Sequence, residues 1–529
     1  MVISFLPILA LVIQTVTAVA VPNVTARQST SFNNPVLWED LADLEVIRVD
    51  NAFYYTASTM HYSPGAPILR SFDLVNWEYI GHSVPSLDFD SSAYDLASGT
   101  QAYVKGIWAS TLQHRPSTGT FFWLGCIEFS RTYVYTAPAI TGPWNKASTL
   151  NTCYYDAGML IDDDDTIYVA FGQTTISVAQ LSADGLTEVR HQVVYNSTVG
   201  TLEGSRFIKR NGVYYILVTG PPDKEYVLRS TSGPFGPYTI QSLVLVVSPP
   251  VSSGGSPHQG GFVETQNGDW FYMAFIDAYP GGRMPVLAPV TWDSAGWPSV
   301  QLQNGGWGAS YPSPLPAQPV TSPVGTDTFS SSSLSPQWEW NHNPDNSAWQ
   351  LNNGLVLRTA TVTSDLYAAR NTLTHRILGP KSSGTILLDF TNMQDGDKAG
   401  LAMFRDISAW IGMQQTGNTR ELVMVSGLSM GPTSNPPWET TNTGSVVATA
   451  SISGTQVWLR ATADIAPAGT KIATFSYSTD GQSFTNLGGS FTMNTDWEYF
   501  IGYRFGIFNY ATKALGGSVT VKSFDIALA

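Results

Sequence analysis

Five short aromatic strands in the first 310 residues constrain the fold of this chain more than any other feature. They read Ala52-Phe53-Tyr54-Tyr55, Thr120-Phe121-Phe122-Trp123, Thr166-Ile167-Tyr168-Val169, Val213-Tyr214-Tyr215-Ile216 and Asp269-Trp270-Phe271-Tyr272. About 10 to 13 positions ahead of each, where the preceding strand begins, stand Asp43, Trp108, Asp156, Glu203 and His258. Short strands recurring every 45 to 70 residues are the signature of propeller blades. Equivalent positions in five blades face one axis, so these five residues are expected to converge. Three of them are carboxylic acids, the groups that chemistry at a glycosidic bond requires.

A chain of 529 residues exceeds one ordinary core, so two large domains are expected. With 12% charged residues and a formal net charge of −14, it lacks the clustered Lys and Arg that nucleic acid or an anionic membrane would demand. A neutral, hydroxyl-rich ligand fits this balance better. Residues 1–20 carry an apolar run from Val2 to Ile13 and close on Ala18-Val19-Ala20, the pattern of a secretory signal peptide. Gln14, Thr15 and Thr17 leave that run too short for a membrane span. Secretion is therefore expected, and the sequons at Asn23 and Asn196 are compatible with it. Cys126 and Cys153 read either as a disulfide between neighbouring blades or as two buried thiols.

Proline density rises from Tyr311 to Gly325 and periodicity stops, which marks a semi-rigid linker over residues 311–325 between a propeller at 21–310 and a second domain at 326–529. That second domain has alternating runs such as Gly384–Phe390, Gln456–Ala461 and Val519–Phe524 with no helical pattern, as in an antiparallel β-sandwich. The expected fold is all-β: a five-bladed β-propeller followed by a C-terminal β-sandwich of jelly-roll, concanavalin-like type. The pairs Asn211-Gly212, Asn267-Gly268 and Asp480-Gly481 are hairpin signals. Trp77, Trp144 and Tyr238, each following a tight turn, are expected between adjacent blades.

Acetal cleavage needs one carboxylic acid to protonate the leaving oxygen and a second carboxylate to activate water or attack carbon. Asp43, Asp156 and Glu203 each stand directly before an apolar strand. A turn or capping role would explain any one alone, but not three in register. The stretches Asn34–Asp40, Tyr62–Pro67 and Cys153–Gly158, together with these acids, resemble glycoside hydrolase family 43, and within it fungal arabinofuranosidases that trim doubly substituted arabinoxylan. The resemblance runs from Asn34 to Gly308, with the family's accessory sandwich from Thr326. It implies an inverting reaction in which Asp43 is the general base, Glu203 the general acid and Asp156 the residue that orients the acid and raises its pKa. The family's usual Asp-Pro-Asp-Pro reads Asp40-Leu41-Ala42-Asp43-Leu44 here, which leaves Asp40 a rival to Asp43. Glu45 is a further carboxylate with no assigned role, expected to face solvent.

The resemblance places His258 near the axis, beside a Ca2+ or Na+ ion held mostly through water; the chemistry itself requires no cofactor. One His with few carboxylates is a poor donor set for such a cation. The run Asp162–Asp165 reads as a solvated hairpin turn. Arg283 matches a family arginine that hydrogen-bonds sugar hydroxyls or holds a carboxylate. Trp108, Tyr154 and Tyr155 are candidates for the sugar-facing wall, against the alternative that they pack between blades. The expected protein is a monomer acting on arabinoxylan as an exo-α-L-arabinofuranosidase. A β-1,4-xylosidase or arabinan-degrading enzyme, and a non-catalytic sugar-binding propeller, are the alternatives.

Overall fold

The computed structural model describes residues 30–529 except Ser98, Asn435 and Pro436. The segment read as a signal peptide and the sequon at Asn23 lie outside the described residues. Five antiparallel four-stranded sheets follow one another. Their innermost strands are Glu45–Val49, Thr111–Arg115, Gly158–Ile161, Glu203–Arg210 and His258–Glu264. These five strands touch in ring order around one axis, and the last meets the first. Each aromatic run forms the second strand of its blade, from Ala52–Thr56 to Trp270–Asp277. Its large rings fill the space between blades, where Trp77, Trp144 and Tyr238 are also buried.

The ring closes through the segment ahead of the first blade. Ser31–Asn33 pairs with Ser310–Pro312, and the Val36 and Leu41 amides donate to the Pro285 and Arg283 carbonyls, both at 3.0 Å. The Asn34 side chain donates to the Leu287 and Gly308 carbonyls at 3.0 Å each, and its oxygen accepts from the Leu287 amide at 2.8 Å. Beginning and end of the ring are thus tied side by side, and Asp43 sits where this clasp enters the first inner strand.

Two antiparallel sheets, of nine and eight strands, make the second domain. The runs noted in the sequence lie in Lys381–Asp389, Gln456–Asp464 and Ser518–Leu528, all in the nine-stranded sheet. Pairing reaches into both ends of the proline-rich stretch, because Ser310–Pro312 and Gly325–Asp327 are strands. Between them the chain lies along the propeller, with the Gln318 amide on Asp73 Oδ2 at 3.0 Å. One strand crosses between domains: Tyr62–Ser63 leaves the first blade and pairs with Trp338–Asn341 at the edge of the eight-stranded sheet. A ladder shared by both domains fixes their relative placement. Helical structure among the described residues is limited to three 3-10 turns, Ser92–Asp95, Leu366–Ala368 and Trp497–Tyr499.

The two cysteines pair, with Cα atoms 5.1 Å apart. The bond joins the second strand of the second blade to the lead-in of the third inner strand. In the Asp162–Asp165 turn, Asp165 Oδ2 accepts from Arg115 Nη2 at 2.6 Å, and Asp163 Oδ2 from Lys209 Nζ at 2.9 Å. The turn therefore staples neighbouring strands while its outer face meets solvent.

Candidate active site

A cavity of about 840 Å³ opens at the propeller axis, and Asp43, Asp156 and Glu203 all line it. Asp43 and Asp156 each stand two residues before an inner strand in left-handed backbone, with φ of 55° and 50°. Aspartate tolerates that region because its short polar side chain can hydrogen-bond locally. Both Arg283 terminal nitrogens donate to Asp43, Nη1 to Oδ1 at 2.8 Å and Nη2 to Oδ2 at 3.0 Å. This planar fork fixes the carboxylate plane and sets a permanent cation against it.

Asp156 Oδ2 accepts from the Gly204 amide at 3.0 Å, tying the third blade to the residue after Glu203. Burial pushes the Asp156 carboxyl well above the usual aspartate range, and the nearby charges of Glu203 and Asp43 push it the same way. Glu203 Oε2 accepts from Gln173 Nε2 at 3.0 Å and from the Tyr155 hydroxyl at 3.3 Å. Gly204 has φ of +68°, and a Cβ there would lie 2.9 Å from Gln259 Cγ, so this position requires glycine.

Beneath the three acids lies a residue that sequence reasoning missed. Arg206, fully buried, donates Nη2 to the Asp43 carbonyl at 2.7 Å, Nε to that of Leu44 at 2.6 Å, and Nη1 to those of Ala157 and Ser205 at 3.0 and 2.8 Å. One guanidinium therefore holds the backbone beside every acid. Glu45 is corrected from solvent to the core: it is buried 3.6 Å from Arg206 Nε and accepts from Thr111 Oγ1 at 2.9 Å. Burial pushes its carboxyl up to about 7.

Asp40, the rival base, is committed elsewhere. Its Oδ1 accepts from the Arg283 amide at 2.8 Å and its Oδ2 from the Gly502 amide of the sandwich at 3.0 Å. Tyr154 is a correction: it is buried between blades against Phe171, with its hydroxyl on Glu188 Oε2 at 2.7 Å, and does not line the cavity. Tyr155, its chain neighbour, points the opposite way and does. His258 lines the cavity with Nδ1 at 2.8 Å from the Ser256 carbonyl. No cluster of three or more His, Cys, Asp or Glu side chains able to hold a metal occurs among the described residues. The donors around His258 thus do not fit a cation coordinated directly by side chains.

Aromatic rings build the wall. Trp108 stacks edge-on to Phe500 at 5.0 Å and lies 6.0 Å from Phe129, which is 5.8 Å from Tyr155. Phe500 and the neighbouring Trp497 belong to the sandwich, so the second domain forms part of the cavity. The Phe500 carbonyl accepts from Arg283 Nε at 3.1 Å and from the Tyr279 hydroxyl at 3.2 Å. No local signal in the sequence places residue 500 beside residue 108.

A propeller axis that gathers three carboxylates from three blades under an aromatic wall is the architecture of a glycoside hydrolase. The chain belongs to glycosyl hydrolases family 43: that family's model matches residues 32–298, and residues 326–527 match the beta-xylosidase C-terminal concanavalin A-like domain. It is an enzyme of O-glycosyl hydrolysis, which sets aside the purely sugar-binding alternative. It is 27% identical to a beta-xylosidase of Formosa agariphila over 93% of this chain and 90% of that protein. To a non-reducing end alpha-L-arabinofuranosidase of Bacteroides ovatus it is 28% identical, over 62% and 64%. A solved family 43 enzyme, engineered in its active site and displaying both endo-xylanase and exo-arabinofuranosidase activity, superposes with a TM-score of 0.91 at 50% identity, covering 94% of this chain and all of that one.

Proposed function

We propose that this enzyme is a secreted exo-acting α-L-arabinofuranosidase that removes arabinofuranosyl branches from arabinoxylan in one inverting displacement. The observation carrying the chemistry is the convergence of Asp43, Asp156 and Glu203 on one cavity. The choice of arabinose is supported by the likeness, at 50% identity, to an enzyme with exo-arabinofuranosidase activity. The disulfide suits an oxidising compartment.

Asp43, held in the Arg283 fork, accepts a proton from water as the water oxygen bonds to the anomeric carbon. Glu203 protonates the departing glycosidic oxygen as the old bond breaks. Gln173 and Tyr155 both donate to Glu203 Oε2, which leaves Oε1 to carry the proton. Asp156, which holds the Gly204 amide next to the acid at 3.0 Å, orients Glu203 and supports its proton donation. A structural ion near His258 would be held through water, outside these steps.

A second reading, β-xylosidase, is favoured by the name of the Formosa agariphila relative. Product analysis on doubly substituted arabino-xylo-oligosaccharides beside linear xylo-oligosaccharides separates the two. Free arabinose from the first, with linear chains intact, is expected; xylose from the linear chains would instead establish the second reading.

A further inference from the structure

Phe129 occupies a position that folding alone does not explain. It is 63% exposed, although a large apolar ring in water is unfavourable. Glu128 and Phe129 together form the tip of the hairpin between Thr120–Ile127 and Arg131–Ala137, with φ of 54° and 52°. The Ser130 amide closes this turn on the Ile127 carbonyl at 3.1 Å. Two consecutive left-handed residues are cheap for Asn-Gly or Gly-Gly and strained for Glu-Phe.

The surroundings hold that strained tip in place. Glu128 Oε1 accepts from the Tyr94 hydroxyl, and the Tyr94 carbonyl accepts from Asn343 of the sandwich at 2.7 Å. Cys126, three residues before Phe129, is bonded to Cys153, two residues before Tyr155. The two rings stand 5.8 Å apart, and the Tyr155 hydroxyl reaches Glu203. Phe129 therefore rims the cavity beside the group that protonates the leaving oxygen.

We propose that Phe129 is a specificity-determining contact for the sugar unit on the leaving-group side of the cleaved bond, its ring lying against the apolar C–H face of a main-chain pentose. This rests on the assignment of Glu203 as the acid, because that side is where a leaving group departs. The disulfide and the Glu128–Tyr94 contact hold the ring ready, so little ordering is lost on binding.

The test compares kcat/KM on a branched arabino-xylo-oligosaccharide with kcat/KM on an aryl arabinofuranoside, whose leaving group is a phenol. In Phe129→Ala the ratio of the first to the second falls about tenfold, and Phe129→Tyr holds it within about twofold of the parent. Phe129→Gly, which relieves the backbone, melts no lower than the parent. An unchanged ratio in Phe129→Ala, or a melting temperature lowered by more than about 5 °C in Phe129→Gly, would overturn the proposal by showing that the ring serves the fold. If product analysis gives xylose, the same ratio is read with xylo-oligosaccharide against aryl xyloside, so an error in the choice of sugar is told apart from an error about Phe129.

Discussion

Asp156 and Glu339 are both buried carboxylates, one at the propeller axis and the other where the two domains meet, and their surroundings drive them in opposite directions. Burial raises Asp156, and Glu203 and Asp43 raise it further. Burial would raise Glu339 too, but Arg376, Arg504 and His82 outweigh it and hold that carboxyl well below the usual glutamate range. Glu339 Oε1 accepts from Arg376 Nη1 at 2.8 Å, and Oε2 from Arg504 Nη1 at 2.6 Å. The interface spends its arginines sealing a joint. At the axis, Arg206 and Arg283 bind the carbonyls and the Glu45 and Asp43 carboxylates but leave Asp156 and Glu203 crowded toward an open cavity. Crowded like charges are a poor way to hold a fold together and a good way to keep one proton available.

The largest effect expected is on chemistry alone. Glu203→Ala and Asp43→Ala each lower kcat on oligosaccharides by about 10³-fold or more, while Glu203→Ala leaves the circular dichroism spectrum and melting curve unchanged. Measurable turnover near the parent rate in either would remove that residue from its role.

Next comes Glu339→Ala, which leaves two buried guanidinium groups without their shared partner and costs about 3–5 kcal/mol by denaturant unfolding. The sign of its pH dependence follows from the lowered carboxyl. The stabilisation is present above the ordinary glutamate range and is lost as pH falls through the folded value, so parent and variant converge in acid. A gap that widens in acid would contradict the ion-pair account.

The smallest effect on the fold belongs to Asp156→Asn, and its sign is opposite. Because the folded carboxyl lies above its unfolded value, the parent loses stability as pH rises from the aspartate range up through the folded value, and Asn is free of that loss. The variant is expected to unfold at slightly higher denaturant at pH 7 and to match the parent in acid. Its kcat falls about 10²-fold on sugars, with a smaller fall on aryl glycosides, whose leaving groups need less protonation. Equal losses on both substrates would argue against support of the acid.

Much of the ring was legible because two local patterns coincide. A strand buried on both faces between blades demands aromatic and branched residues, and a residue just ahead of an inner strand lies near the axis. Those patterns found Asp43, Trp108, Asp156, Glu203 and His258, all of which line the cavity. They could not separate Tyr154 from Tyr155, which lie in the unpaired lead-in to Gly158–Ile161, where no strand period marks the side chain that faces inward. Glu45 misled because a charge next to a loop reads as solvated until Arg206, from another blade, is placed against it.

The sequence by itself determined how many blades form and which acids stand at their mouths, because strand period, turn chemistry and burial are local properties. Tertiary structure alone decided that Arg206 binds three blades at once, that Tyr62–Ser63 enters the sandwich sheet, and that Phe500 walls a cavity some 390 residues away from Trp108 along the chain. Those contacts join residues far apart along the chain, and a guanidinium or a ring carries no mark in the sequence of the distant partner that will satisfy it.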